Sequence, residues 1–274
     1  MSITVMLTCV GGDLAPQMLL DLKLRSRHDI KVIGTDVNPL AIGRDFCDEF
    51  SVVPSGLDIG YVEAIKELAI KYDVDLIVPT SDEEAVAISS ARKVFEEEGV
   101  KLACTDISTL EVLIDKAKTY NKLKEYGVHV PVWSQVDNIC DLRQTVQDMY
   151  RELGEVVVKP SQGRGGRGVY VVTKSIVGVK RYADRREIHS DIETFIQDLS
   201  NSLSNSFPVV IMERLVEPVF DLDLLAWNGK PIRVVPRRRI DSAVPNLGHT
   251  IINDKILIDL GESLIKLFQL SWLY

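Results

Sequence analysis

Apolar positions in the first hundred residues follow two alternating rhythms. Short β-branched runs at 3–10, 31–35, 75–79 and 100–104 predict buried strands. Between them, 15–24, 61–72 and 82–98 repeat apolar residues every three or four positions and predict helices, the second with Ile65, Leu68 and Ala69 on one face. This strand–helix alternation predicts a parallel sheet covered on both faces, with ligands bound beyond the carboxyl ends of its strands. Those ends carry Gly11-Gly12, Asp36 and Thr80-Ser81-Asp82.

The rest of the chain has a different rhythm. Ser108-Thr-Leu-Glu111 has capping-box spacing and predicts a helix start. A helical run from Asp115 stops at Gly127 with Pro131 beyond, and another over 141–153 closes at Gly154. Strands are predicted at 155–159, 168–172 and 208–215, with a helix near 192–199 and a polar loop over 200–206. The runs 222–227 and 231–236 flank Asn228-Gly229, the signal of a type I′ hairpin. Residues 255–270 predict a helix with Leu257, Leu260, Leu264 and Phe268 facing inward. This part therefore predicts an antiparallel sheet with helices on one side, so the fold class is α/β, a parallel-sheet domain followed by an α+β fold whose last part is missing.

Composition narrows the function. With 274 residues and 46% hydrophobic content, the chain is long enough for two or three globular domains. A net charge of −8 weighs against nucleic-acid binding, and no segment is long and apolar enough to span a membrane. The start lacks a basic region and reads as a first strand rather than a signal peptide. Cys9, Cys47, Cys104 and Cys140 form no C-x-x-C pair, which predicts reduced, buried thiols and a cytoplasmic protein. The four histidines show no metal-ligand spacing. Gly11-Gly12 followed by Asp36 echoes a dinucleotide fold, but G-x-G-x-x-G is absent, so an NAD(P) oxidoreductase is the weakest reading.

The chemistry concentrates at 155–172. A β-branched strand ends in Lys159-Pro160, and a loop with Gly163, Gly165, Gly166, Gly168, Arg164 and Arg167 follows. Glycines let backbone amides approach an anion, and a lysine leaving the strand adds a compact positive charge. A plain edge-strand lysine and hairpin loop is the alternative, although four glycines exceed what a hairpin needs. Lys116 and Lys118, behind Asp115, read equally as solvated helix-end charges. Asp221 and Asp223 share one strand face, as do Arg237 and Arg239. The arginines suit a developing phosphate charge or a solvated strand end.

In this order, Asp115-Lys116, Val158-Lys159-Pro160 with its glycine loop, Met212-Glu213-Arg214-Leu215 and an acid-bearing hairpin resemble the ATP-grasp superfamily. The likeness is strongest to carbamoyl-phosphate synthase large-subunit-like proteins. The resemblance implies a preATP-grasp (Rossmann-like) domain over 1–110 and an ATP-grasp region over 111–274. The latter would hold a lid subdomain at about 130–205 and an incomplete C-terminal subdomain at about 206–274. It further implies ATP as the bound nucleotide. Lys116 and Lys159 would lie on its phosphates, and Gly163, Gly165, Gly166 and Gly168 would cover them. Glu213, Arg214 and Leu215 would read adenine, Asp221 and Asp223 would touch ribose or metal, and Arg237 and Arg239 would act on the reacting phosphoryl group.

Two departures stand out: Val219 occupies a position where Glu is common, and Asp241 begins a segment unlike the usual arginine–glycine continuation. Mg²⁺ is expected for the family, but its glutamate and Glu-x-Asn ligands would lie beyond Leu270, so the chain is expected to lack them. The implied reaction is phosphorylation of a small-molecule carboxylate by ATP, then attack by an amine or thiol. The alternative is a nucleotide-binding chain that is catalytically incomplete. The apolar end Trp272-Leu-Tyr274 is compatible with self-association.

Overall fold

In β1 (Ser2–Leu7) the neighbours Met6 and Leu7 are both fully buried, each in a different core. Successive residues of a strand point to opposite faces, so this strand is covered on both sides. The computed structural model describes residues 2–273 apart from 164, 165, 167, 184, 185, 242, 243, 245 and 246. Arg164, Gly165 and Arg167 of the glycine loop therefore lie outside the described residues. The chain divides into two units: Met1–Glu111 with Leu224–Val234 and Gly261–Tyr274, and Val112–Asp223 with Val235–Leu260.

The first unit holds α1 (Ala15–Arg25), β2 (Asp29–Asp36), β3 (Glu49–Val52), α2 (Tyr61–Lys71), β4 (Leu76–Val78), α3 (Asp82–Ser90), α4 (Arg92–Glu97) and β5 (Lys101–Leu102). Its five strands run parallel in the order β3-β2-β1-β4-β5. Met6, Ile33 and Ile77 pack against Tyr61, Ile65, Ile88 and Phe95 on one face, while Leu7 and Val32 pack with Ala15 and Leu19 on the other. The expected helix over 82–98 is broken at Ala91, and Arg92 turns to donate to the carbonyls of Cys104 (2.8 Å) and Thr105 (3.1 Å). Tertiary bonds there override good helix-forming residues. Among the thiols, Cys104 is buried but Cys140 is exposed, and none of the four is in a disulfide.

α5 (Ile107–Leu113) corrects the expected helix start. Its first-turn amides, Thr109 and Leu110, bond the Asp106 carbonyl, so Ser108 lies inside the helix and not at its cap. In α9 (Lys255–Phe268) the inward face is Gly261, Ile265 and Phe268, and Leu260 is exposed. The physical reason is Gly261, where an added Cβ would lie 2.7 Å from Val234 Cγ1 and 3.0 Å from Leu224 Cδ2. Close approach through the glycine rotates the helix by one position. β15 (Trp272–Leu273) then pairs with β12 (Phe220–Trp227) at Ala226 and Leu225, and the Trp227 and Trp272 rings meet edge to face at 5.3 Å.

The second unit contains α6 (Lys116–Glu125), β6 (Trp133–Val136), α7 (Ile139–Leu153), β7 (Glu155–Pro160), β8 (Tyr170–Thr173), β9 (Val179–Arg181), β10 (Ile188–Ser190), α8 (Ile192–Thr194) and β11 (Val209–Glu213). Its sheet order is β6-β11-β7-β8-β10-β9, antiparallel except where β10 meets β8. Leu142 and Val146 of α7 bury Val156, Val158, Val209 and Ile211. β13 (Lys230–Arg239) and β14 (His249–Ile251) pair antiparallel at Arg237–Arg239. Asn228 and Gly229, at φ of 47° and 71°, make the expected hairpin turn between β12 and β13. Among the described residues no helix is long and apolar enough to cross a membrane.

Gly261→Val tests the close approach. Overpacking at this contact is expected to cost about 1–3 kcal/mol, read as a lower urea midpoint; an unchanged midpoint would show that the glycine is dispensable.

Candidate functional site

Strand alternation places the central lysine. On β7, Val156 and Val158 enter the core under α7, so Val157 and Lys159 take the other face. There β11 brings Val210 beside Lys159 and Met212 beside Val157, and α6 covers them with Ala117 and Tyr120. Lys159 is half-buried, and its Nζ donates to the Tyr120 phenol oxygen at 3.2 Å. Among the described residues it has no carboxylate partner. Burial, with the nearby charge of Lys116, pushes its amine down to about 8.

Asp115 sets the geometry on the other side. Its carboxylate caps α6 by accepting from the amides of Ala117 (3.0 Å) and Lys118 (3.2 Å), and accepts from the Ser161 hydroxyl at 2.6 Å. The Lys116 amide returns a bond to the Ser161 carbonyl at 2.9 Å. Burial of Asp115 opposes ionisation, but these donors overcome it and hold the carboxyl below its usual range. The Lys116 ammonium donates to the carbonyls of Ser161 (3.2 Å) and Gly163 (2.9 Å), where the glycine loop begins. Gly163, Gly166 and Gly168 all have positive φ, a conformation that side-chain-bearing residues rarely adopt.

At the end of β11, Glu213 is tied to Val132 twice: its amide donates to the Val132 carbonyl, and its Oε1 accepts from the Val132 amide, both at 2.9 Å. Arg214 pairs with Glu155 at 3.2 Å, and Leu215 is exposed. Met212 is buried in the cluster beneath α6. The hairpin acids and arginines form a second group. Arg239 clamps both oxygens of Asp221 at 2.8 Å, His249 Nε2 lies 2.8 Å from the same carboxylate, and Arg237 pairs with Asp223 at 2.6 Å. Hydrogen bonding from Arg239, joined by His249, pulls the Asp221 carboxyl down to about 2. Among the described residues the Nε of Arg237 is buried without a partner.

Three participants carried no sequence signal of their own: Tyr120 on α6, Ser161 after β7 and His249 on β14. A further constellation lies in the first unit at the strand ends. The Gly11 amide donates to Asp36 at 2.7 Å, and the hydroxyls of Thr8 (2.7 Å) and Ser81 (3.0 Å) donate to the buried Glu84 carboxyl. Burial raises the Glu84 carboxyl above its usual range.

A doubly covered parallel sheet, followed by a lysine and a glycine loop on a mostly antiparallel sheet, defines an ATP-grasp protein. The chain belongs to the sugar-transfer associated ATP-grasp family, whose model matches residues 101–242; residues 15–103 match the PylC-like N-terminal domain. A search of curated proteins finds no match. Among solved structures, N5-carboxyaminoimidazole synthetase from Staphylococcus aureus, complexed with ADP, aligns at a TM-score of 0.65 with 16% identity. That alignment covers 98% of this chain and 63% of that one. The biotin carboxylase domain of 2-oxoglutarate carboxylase from Hydrogenobacter thermophilus, in complex with MgADP, ADP and bicarbonate, gives 0.62, 16%, 98% and 59% in the same terms. L-amino acid ligase from Bacillus licheniformis gives 0.61, 13%, 97% and 60%. These likenesses establish the fold, and the chain spans about three fifths of the length of those structures.

The Asp221 cluster makes a pH prediction. A carboxyl held near 2 when folded contributes stability above its ordinary value of 3.8, and that contribution is lost as pH falls towards 2. Asp221→Asn is therefore expected to flatten the loss of thermal stability between these pH values. An equally steep loss in the variant would remove the cluster from the acid response.

Proposed function

We propose that the second unit binds ATP, as the nucleotide site of a ligase that activates a small-molecule carboxylate. The observation that carries this reading is Lys159, a half-buried amine pushed down to about 8 with no carboxylate beside it among the described residues. A polyphosphate would restore its charge, and Lys116 supplies a second cation at the start of the glycine loop. Gly163, Gly166 and Gly168, with Gly165, would cover the phosphates. The carbonyl of Glu213 and the backbone groups of Arg214 and Leu215 would face adenine, with Leu215 exposed to meet its ring.

In the proposed reaction the γ-phosphoryl group passes from ATP to a carboxylate oxygen and ADP leaves. An amine or thiol then attacks the acyl carbon, giving up its proton as the phosphate departs. Arg237 and Arg239 would face the charge that develops, and the Nε of Arg237, buried without a partner among the described residues, supports that role. Asp221 and Asp223 belong to the site as the counter-ions that orient these arginines. Mg²⁺ would neutralise phosphate charge when bound, held by one or two carboxylates together with the phosphates themselves. Four cysteines, none in a disulfide, fit a reducing, cytoplasmic setting.

Calorimetric titration of ATP into the wild-type chain and Lys159→Met tests the reading. Loss of a charge-assisted contact is expected to weaken binding by roughly ten- to a hundredfold. Equal affinity in the variant would refute the site. Scanning carboxylates and amines for ADP release then separates turnover from binding alone: binding without release would retain the nucleotide site and remove the ligase reaction.

A further inference from the structure

We infer that Tyr120 is a positioning residue for Lys159, aiming its amine before any nucleotide arrives. The consequence for ATP rests on the proposed function, but the contact itself does not. Tyr120 lies four residues after Lys116 on α6, so both side chains share one helix face. That face closes over the strand position from which Lys159 projects.

The phenol is oriented from three sides. Its O–H donates to Met212 Sδ at 3.4 Å, which leaves the oxygen lone pairs to accept from Lys159 Nζ at 3.2 Å. Its ring stands 5.4 Å from that of Trp133, and Lys159 Nζ lies 5.7 Å from the Tyr120 ring centroid. The lysine therefore meets the phenol at its oxygen, an acceptor that favours the ammonium over the neutral amine. Burial raises the Tyr120 hydroxyl above its ordinary value, so it stays an un-ionised acceptor through the neutral range.

The surrounding groups leave this task to Tyr120. Asp115, the carboxylate at this end of α6, is taken up by Ser161, Ala117 and Lys118. Lys116 opposes the charge on Lys159. On this face of β7 and β11, Val157, Val210 and Met212 are apolar, and Glu155 is taken up by Arg214 at 3.2 Å and by the Thr173 hydroxyl. A tyrosine serving only as packing would be replaceable by phenylalanine without effect on the lysine. One serving as acceptor would not.

The test reads Lys159 directly, without nucleotide. The rate of amine acylation at Lys159 is followed against pH by peptide mass spectrometry in wild type, Tyr120→Phe and Tyr120→Leu. The Phe variant loses the acceptor, and its midpoint is expected about half to one pH unit below wild type. The Leu variant loses the same acceptor and should also fall below wild type. Thermal melts confirm that each variant is folded, and if Leu does not fold, Phe alone decides. Identical midpoints in wild type and Phe, or a rise in the variant, would overturn the inference. A wild-type chain that fails to bind ATP would remove the nucleotide reading while leaving this comparison intact.

Discussion

The site in the second unit depends on one carboxylate. Asp115 fastens the first turn of α6 to the end of β7 by capping the helix and accepting from Ser161. Without that fastening, Lys116 and Lys159 would belong to separate elements with no fixed spacing. With it, a helix start, a strand end and the beginning of the glycine loop are held by four short bonds. The acid that gathers the two lysines is itself fully engaged by hydroxyl and amide donors, so it does not neutralise them. The site stays cationic because its acid is occupied elsewhere.

The hairpin follows a different logic. Its arginines are held on Asp221 and Asp223, with His249 sharing the first of these. Ion pairing of this kind contributes little stability where exposed, but it fixes the direction of a guanidinium. One part of the second unit thus holds Lys159 with no carboxylate beside it among the described residues, while another orients its cations with carboxylates. The first suits a polyphosphate that remains bound, and the second suits charge that appears only during reaction.

Much of this was legible in the sequence where local pattern and tertiary structure agree. Val156, Val157, Val158 and Lys159 announce both the strand and the face its lysine takes, and Asn228-Gly229 announces the turn. Asp115 and Gly154 mark a helix start and a helix end as their chemistry suggests. What escaped was decided by distant partners. The break at Ala91 follows from Arg92 reaching two carbonyls beyond its helix, and the rotated face of α9 follows from Gly261 meeting Val234. β3, β6, β9, β10, β14 and β15 have two to four residues each, too few for a periodic signal. Tyr120 escaped because a tyrosine on a helix belongs to no motif, and its importance lies in the strand it faces.

The central claim is that Lys159 is partly deprotonated in the free chain and fully charged against a triphosphate. Proton uptake on ATP binding tests it most directly, measured by calorimetry at pH 8.5 in buffers of different ionisation enthalpy. With the free amine near 8, the account predicts uptake of about three-quarters of a proton per ATP bound, absent in Lys159→Met. Binding with no proton uptake would contradict it.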